Sequence, residues 1–183
     1  IDSMNLVNTV KTMRDAGKDM SGFELNVAPR MFIGAAENPF ADPFEYRVIR
    51  LAKKMAAGAD FIQTQCVYNM ARFKEWVRMA HEQGLTEKVH ILAGVTPLKS
   101  ARMAKYMATR VPGMSVPDAL IKRMEGAPKD KAAEEGIKVC LETIQEIRHI
   151  KGVHGIHIMA IEWEDRVPEI VKSAGLYPRP QVA

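Results

Sequence analysis

Two kinds of apolar pattern alternate along this chain. Short runs suited to buried strands are followed by longer stretches with an apolar stripe at helical spacing. The runs are MFIGAA (Met31 to Ala36), ADFIQTQ (Ala59 to Gln65), VHILAGV (Val89 to Val95) and GIHIMAI (Gly155 to Ile161). Before the first of them, Asp2 to Ala16 reads as a helix capped by Asp2 or Ser3, striped by Leu6, Val10 and Met13 and stopped by Gly17. Asp42-Pro43 reads as an N-cap with proline at the first position of a helix ending at Ala57, before Gly58. Asn69 caps a helix from Met70 to Gln83 whose buried face is Met70, Phe73, Trp76, Val77 and Ala80. Further helices are expected over Ser100 to Arg110, Pro117 to Met124 and Pro128 to His149. The last of these carries Ala133, Ile137, Cys140, Leu141, Ile144 and Ile147 as its stripe. A short helix capped by Asp165 runs to Ala174, and the tail LYPRP follows.

Strands alternating with helices predict an α/β fold with a parallel sheet. The 183 residues form one domain, with residues 1 to 30 a helix and loop leading into the first strand. Two architectures fit: a complete flavodoxin-like doubly wound domain, or about half of a (β/α)8 TIM barrel. A half-barrel exposes two long strand edges, so that option requires more chain than is present. The start at Ile1, without an initiator methionine, leaves room for it.

Composition narrows the function classes. Hydrophobic residues make up 47% and charged residues 26%, the balance of a soluble globular protein. No run approaches the roughly 20 apolar residues of a membrane span, and no signal peptide opens the chain. Cys66 and Cys140 suit a reducing cytoplasm and form no CxxC pattern. A net charge of +4 fits an anionic small ligand or an acidic partner and is too weak and dispersed for nucleic acid.

The clearest constellation is basic. At about 100° per residue, Arg47, Arg50, Lys53 and Lys54 fall together on one side of their helix, away from Phe44, Val48, Leu51, Ala52 and Met55. This is either a solvated face or a clamp on a phosphate, whose oxygens suit Arg and Lys donors. Gln63 and Gln65 share one face of their strand. They are either buried amides satisfied by a neighbouring strand or water, or, for Gln65 at the C-terminal end, a donor and acceptor matched to a pterin or flavin ring. His154 and His157 lack a third ligand for a metal, and His157 reads as a structural or hydrogen-bonding residue. Cys140 lies on an apolar stripe, and Cys66 has no activating partner. Glu162 and Trp163 stand at the level of a site, with capping or packing as their plainer role.

NPFADP, RLAKKMAAGADFIQTQ, ILAGVTPLKS and GVHGIHIMAIE, in this order and spacing, resemble the methylenetetrahydrofolate reductase family, in a form similar to that of acetogens and related anaerobes. The likeness spans most of residues 30 to 180 and is most specific in AGADFIQTQ. It implies a flavin-bearing (β/α)8 barrel of which this chain supplies roughly strands five to eight. It implies the reduction of 5,10-methylenetetrahydrofolate to 5-methyltetrahydrofolate with FAD, or FMN, as cofactor. The electron source would be NAD(P)H, ferredoxin or a partner subunit, and the enzyme a cytoplasmic oligomer. A non-catalytic pterin-binding or partner-binding barrel subunit is the alternative. By the resemblance, Gln65 faces the pterin, and Lys53, Lys54, Arg50 and Arg47 occupy flavin-contacting positions. Asn38 stands where the better-known bacterial enzymes have a flavin-contacting histidine. Trp163 stands at the place of an arginine that meets folate, and Met103 and Met107 at those of a glutamine and an aromatic. The family's catalytic glutamate and flavin-proximal aspartate fall upstream of Ile1, so no catalytic residue is assigned here.

Overall fold

A computed structural model describes residues 1–179 and 181; the last proline of the LYPRP tail lies outside them. The first helix, α1 (Ser3–Ala16), begins where the Asp2 carboxylate accepts hydrogen bonds from the Met4 and Asn5 amides, and ends at Gly17 in the left-handed region. Its stripe is rotated from the expected one. Val7 is buried and Leu6 is 54% exposed. The cause is how α1 is tethered: the Arg14 guanidinium reaches the Asp60 carboxylate at 2.7 Å, and Lys11 lies where Gly58 leaves space for it.

Strand β1 is Gly34–Glu37, later than the apolar run MFIGAA suggests. The Ile33 amide donates to the Asp60 carboxylate at 2.8 Å rather than to a strand, and Phe32 stacks on Phe61 with ring centroids 5.4 Å apart. Helix α2 (Tyr46–Ala57) starts after Pro43, and no side chain caps it. Asp42 is drawn away by the Arg72 guanidinium, which also lies over the Phe44 ring. Gly58 closes α2 with φ of 116°, a conformation that side chains disfavour. Strand β2 (Phe61–Cys66) and helix α3 (Met70–Glu82), capped by Asn69, follow as expected.

Strand β3 (His90–Val95) leads to α4 (Ala101–Arg110), which is capped by Ser100. Helix α5 (Asp118–Gly126) and α6 (Ala132–Ile147) come next. The α6 start falls after Pro128 because the Pro128 carbonyl is used in a turn that accepts from the Lys131 amide. Strand β4 (Gly155–Ile158) is shorter than expected, and Ile161 beyond it is 56% exposed. Asp165 does not cap the last helix. It sits inside a 3-10 turn (Glu164–Arg166), and α7 (Val167–Ser173) has no side-chain cap.

The four strands are parallel and lie in the order β1-β2-β3-β4. A doubly wound sheet reverses its strand order at the ligand site; this one does not. Right-handed crossovers in one direction put the helices that connect the strands on the same face. Burial agrees: Ile62, Thr64 and Cys66, with Ile91, Ala93 and Val95, are buried against the helices, whereas Phe61, Gln63, Gln65 and Leu92 on the other face are only half-buried. The arc therefore matches part of a (β/α)8 barrel. Its core lies between sheet and helices, around Val48, Leu51, Ile62, Phe73, Trp76, Ile91, Ile144 and Ile147. Among the described residues no helix is long and apolar enough to cross a membrane.

Candidate functional site at the strand ends

The bare face of the sheet carries a polar cavity of about 410 Å³ at the C-terminal ends of the strands. Ala36, Glu37 and Asn38 come from the end of β1, and Arg47, Arg50 and Lys54 from α2. Gln63, Thr64 and Gln65 come from β2, and His157 and Met159 from β4 and the residue after it. In parallel α/β folds this end of the sheet is where ligands are held.

A bulge in β2 shapes the cavity floor. Gln63 pairs with Leu92, but the next registered pair is Cys66 with Gly94. One extra residue thus lies in β2, the definition of a bulge. Thr64 compensates for the interrupted ladder: its hydroxyl accepts from the Gly94 amide at 2.9 Å. Gly94 is required by close approach. A Cβ there would sit 2.4 Å from the Thr64 carbonyl oxygen and 2.6 Å from Met159 Cε.

Across the space above Gly94, the Gln63 amide nitrogen meets His157 Nδ1 at 3.3 Å. Gln63 is therefore satisfied two strands away, by a partner that periodicity alone does not reveal. Gln65 accepts from the Cys66 amide through Oε1 at 3.2 Å. Its amide nitrogen has no partner among the described residues.

The four basic residues of α2 separate into three groups. Lys54 is buried, with its ammonium 2.8 Å from the Glu37 carboxylate and also donating to the Ala36 carbonyl. Arg47 and Arg50 line the cavity and, among the described residues, form no ion pair with an acid. Lys53 is exposed, lies outside the cavity and sits near the Tyr46 ring. Asn38 lines the cavity with its side chain engaged. Its amide nitrogen donates to the Gly113 carbonyl at 3.0 Å, and its oxygen accepts from the Phe40 amide at 2.9 Å.

Glu37 is the residue that sequence reasoning missed. Its signal was a carboxylate directly after an apolar run, at a position the helices bury.

The remaining candidates lie elsewhere. Cys66 is buried, with Sγ 2.9 Å from the Thr96 hydroxyl, and burial pushes its thiol up. Burial likewise pushes the Cys140 thiol up to about 12. His154 accepts from the Ile91 amide at 3.2 Å, and desolvation followed by the nearby His90 lowers its pKa. Met107 is buried, whereas Met103 borders a second cavity of about 540 Å³ with Lys99, Arg102, Tyr106 and Glu162. Glu162 adopts φ of 52°, uncommon for a residue other than glycine, and its carbonyl accepts from Lys99 at 2.8 Å. Lys99 and Arg166 both approach the Trp163 ring, at 5.9 Å and 5.8 Å from its centroid. Among the described residues no group of three His, Cys, Asp or Glu side chains could hold a metal ion.

Comparison with known proteins adds a family to this geometry. The methylenetetrahydrofolate reductase family model matches residues 2–175. Methylenetetrahydrofolate reductase 2 of Schizosaccharomyces pombe is 35% identical over 133 residues, covering 69% of this chain and 20% of its own. A probable methylenetetrahydrofolate reductase (NADPH) of Caenorhabditis elegans is 26% identical over 151 residues, 79% of this chain and 22% of its own. The chain thus spans about a fifth of the length of these curated relatives. A solved structure of an uncharacterised protein from Clostridium thermocellum, described as binding two copies of 5-methyl-5,6,7,8-tetrahydrofolic acid, has the same fold. It aligns with TM-score 0.56 and 15% identity over 91% of this chain and 68% of its own. With a family match across nearly its whole length, the chain belongs to the methylenetetrahydrofolate reductase family.

Proposed function

We propose that the chain is part of a flavin-dependent enzyme that reduces 5,10-methylenetetrahydrofolate to 5-methyltetrahydrofolate, contributing roughly strands five to eight of its barrel. The observation that carries the reading is the match over residues 2–175, joined to one cavity that holds both the open Gln65 amide and the cations Arg47 and Arg50. The match does not favour a non-catalytic subunit.

The residues present fit a flavin. Arg47 and Arg50 offer donors to phosphate oxygens, and among the described residues no acid pairs with them. Lys54 has two acceptors already, which leaves one of its three protons for a ligand. The exposed Lys53 contributes charge at longer range. Asn38 holds the loop after β1 in place through Gly113 and keeps one amide proton for a ligand. FAD is the expected form, with FMN the smaller option. A bound flavin would supply the hydride for the folate's one-carbon unit. This chain's part is to position the reactants. Gln65 donates to the pterin edge, and Arg47 and Arg50 hold the phosphate end. Electrons come from NAD(P)H, ferredoxin or a partner subunit, in an oligomeric enzyme of the cytoplasm.

The test is made on the full-length protein. Purified anaerobically, it should show flavin absorbance near about 450 nm that bleaches on adding 5-methyltetrahydrofolate. A full-length protein that binds neither flavin nor folate would sink the proposal.

A further inference from the structure

Gln63 and His157 form a side-chain hydrogen bond across the bare face of the sheet, and neither the flavin clamp nor the Gln65 contact makes use of it. Both side chains line the cavity beside Gln65. They stand on β2 and β4, and the strand between them presents Gly94, which has no side chain to interpose. The Gln63 amide nitrogen lies 3.3 Å from His157 Nδ1. With the amide nitrogen of Gln63 facing the ring as donor, Nδ1 accepts, and a neutral imidazole then carries its proton on Nε2. Among the described residues Nε2 has no partner, although the ring lines the cavity. Apolar neighbours would have sufficed to pack this face. A glutamine inside a parallel sheet incurs a desolvation cost unless it is bonded, and the bond it makes selects one tautomer.

We infer that Gln63 is a positioning residue that fixes His157 as a hydrogen-bond donor, through Nε2–H, to the ligand seated against Gln65. The inference rests on the folate reading of this cavity. Gln65 and His157 then present two N–H donors from strands on either side of Gly94. That pair suits a heterocycle with adjacent acceptor atoms, a carbonyl oxygen beside a ring nitrogen, as a pterin has. No proton need leave His157. Its role is orientation, so Gln63 acts on ligand binding through the ring it holds.

Nitrogen NMR of the full-length protein labelled at histidine reads the tautomer directly. The wild type should show His157 protonated at Nε2 with Nδ1 as acceptor. Gln63→Met keeps the volume and removes the donor, so the two tautomers should mix. Its affinity for 5-methyltetrahydrofolate, measured by calorimetry, should fall about tenfold, the loss of roughly one oriented hydrogen bond. Gln63→Glu replaces the donor with an acceptor and should move the proton to Nδ1, with at least as great a loss. A wild-type ring protonated at Nδ1, or Gln63→Met with unchanged tautomer and affinity, would overturn the inference. Wild-type protein that shows the Nε2 tautomer but binds no folate would instead overturn the folate reading and, with it, the ligand assigned to the donor. Because the wild-type spectrum decides the tautomer, the result does not depend on either variant folding.

Discussion

The Lys54 ammonium lies 2.8 Å from the Glu37 carboxylate, with the two side chains only 6% and 1% exposed. It links the third turn of α2 to the C-terminal end of β1, so the cavity wall and the sheet are held by one buried ion pair. Such a pair adds little over an apolar one, but breaking it strands a buried charge. Lys54→Met should therefore destabilise the full-length protein by about 3 kcal/mol, and adding Glu37→Leu should restore most of that. Urea denaturation of the single and double variants checks this. A loss for Lys54→Met no larger than for the exposed Lys53→Met would refute the coupling.

The division of the basic residues predicts unequal effects on flavin binding. Arg47→Ala and Arg50→Ala each remove an unneutralised donor from the cavity wall and should weaken flavin binding about tenfold or more. Lys53→Ala should change it less than threefold, because that side chain lies outside the cavity and is screened by solvent. Flavin content of the purified variants, followed by titration of the apoprotein, distinguishes the three. Equal losses at all of them would mean that the whole basic side of the helix meets the ligand.

Gly94 predicts a steric effect. A Cβ there would meet the Thr64 carbonyl, a backbone atom that cannot move without disturbing the bulge. Gly94→Ala should cost roughly 1–3 kcal/mol as overpacking. The control is Gly126→Ala, where a Cβ meets nothing within 4 Å. That change should be neutral or slightly stabilising, since it removes a helix glycine. Thermal unfolding of the two variants compares them.

The cysteines give a pH dependence with a defined sign. Burial raises the Cys140 thiol to about 12, above the ordinary 9.0. The unfolded thiol thus loses its proton first, and the folded state binds more protons between those values. Stability from this group is complete below pH 9.0 and declines as pH rises from there toward 12. Cys66 shifts in the same direction. Native protein at pH 8 should leave both thiols unmodified by a thiol reagent, whereas both react in urea. Cys140→Ala should flatten part of the alkaline decline seen by denaturation at pH 8 and pH 10. Rapid native labelling of either thiol would contradict their burial.

Local signals carried much of the fold. Asn69 and Gly58 mark helix ends in the sequence because caps and glycine stops act over one turn. The strand cores were legible for the same reason, as apolar runs of strand length. The misplacements arose where a distant group captured a local one. Arg72 takes the Asp42 carboxylate from the start of α2, and Asp60 takes the Ile33 amide from the expected first strand. In the site, alternation put Gln63 and Gln65 on one face. It could not pair Gln63 with His157, whose residues are 94 apart in sequence. Helical spacing grouped Lys53 with Lys54. Only the neighbouring Glu37 explains why one of these adjacent lysines is buried and the other exposed.

If the end of β2 meets folate while α2 holds the flavin, as proposed, a change at Gln65 separates the two most directly. In full-length Gln65→Leu, flavin content should match the wild type, and the rate of flavin bleaching by 5-methyltetrahydrofolate should fall at least tenfold. Loss of flavin with bleaching, or bleaching at the wild-type rate, would contradict the account.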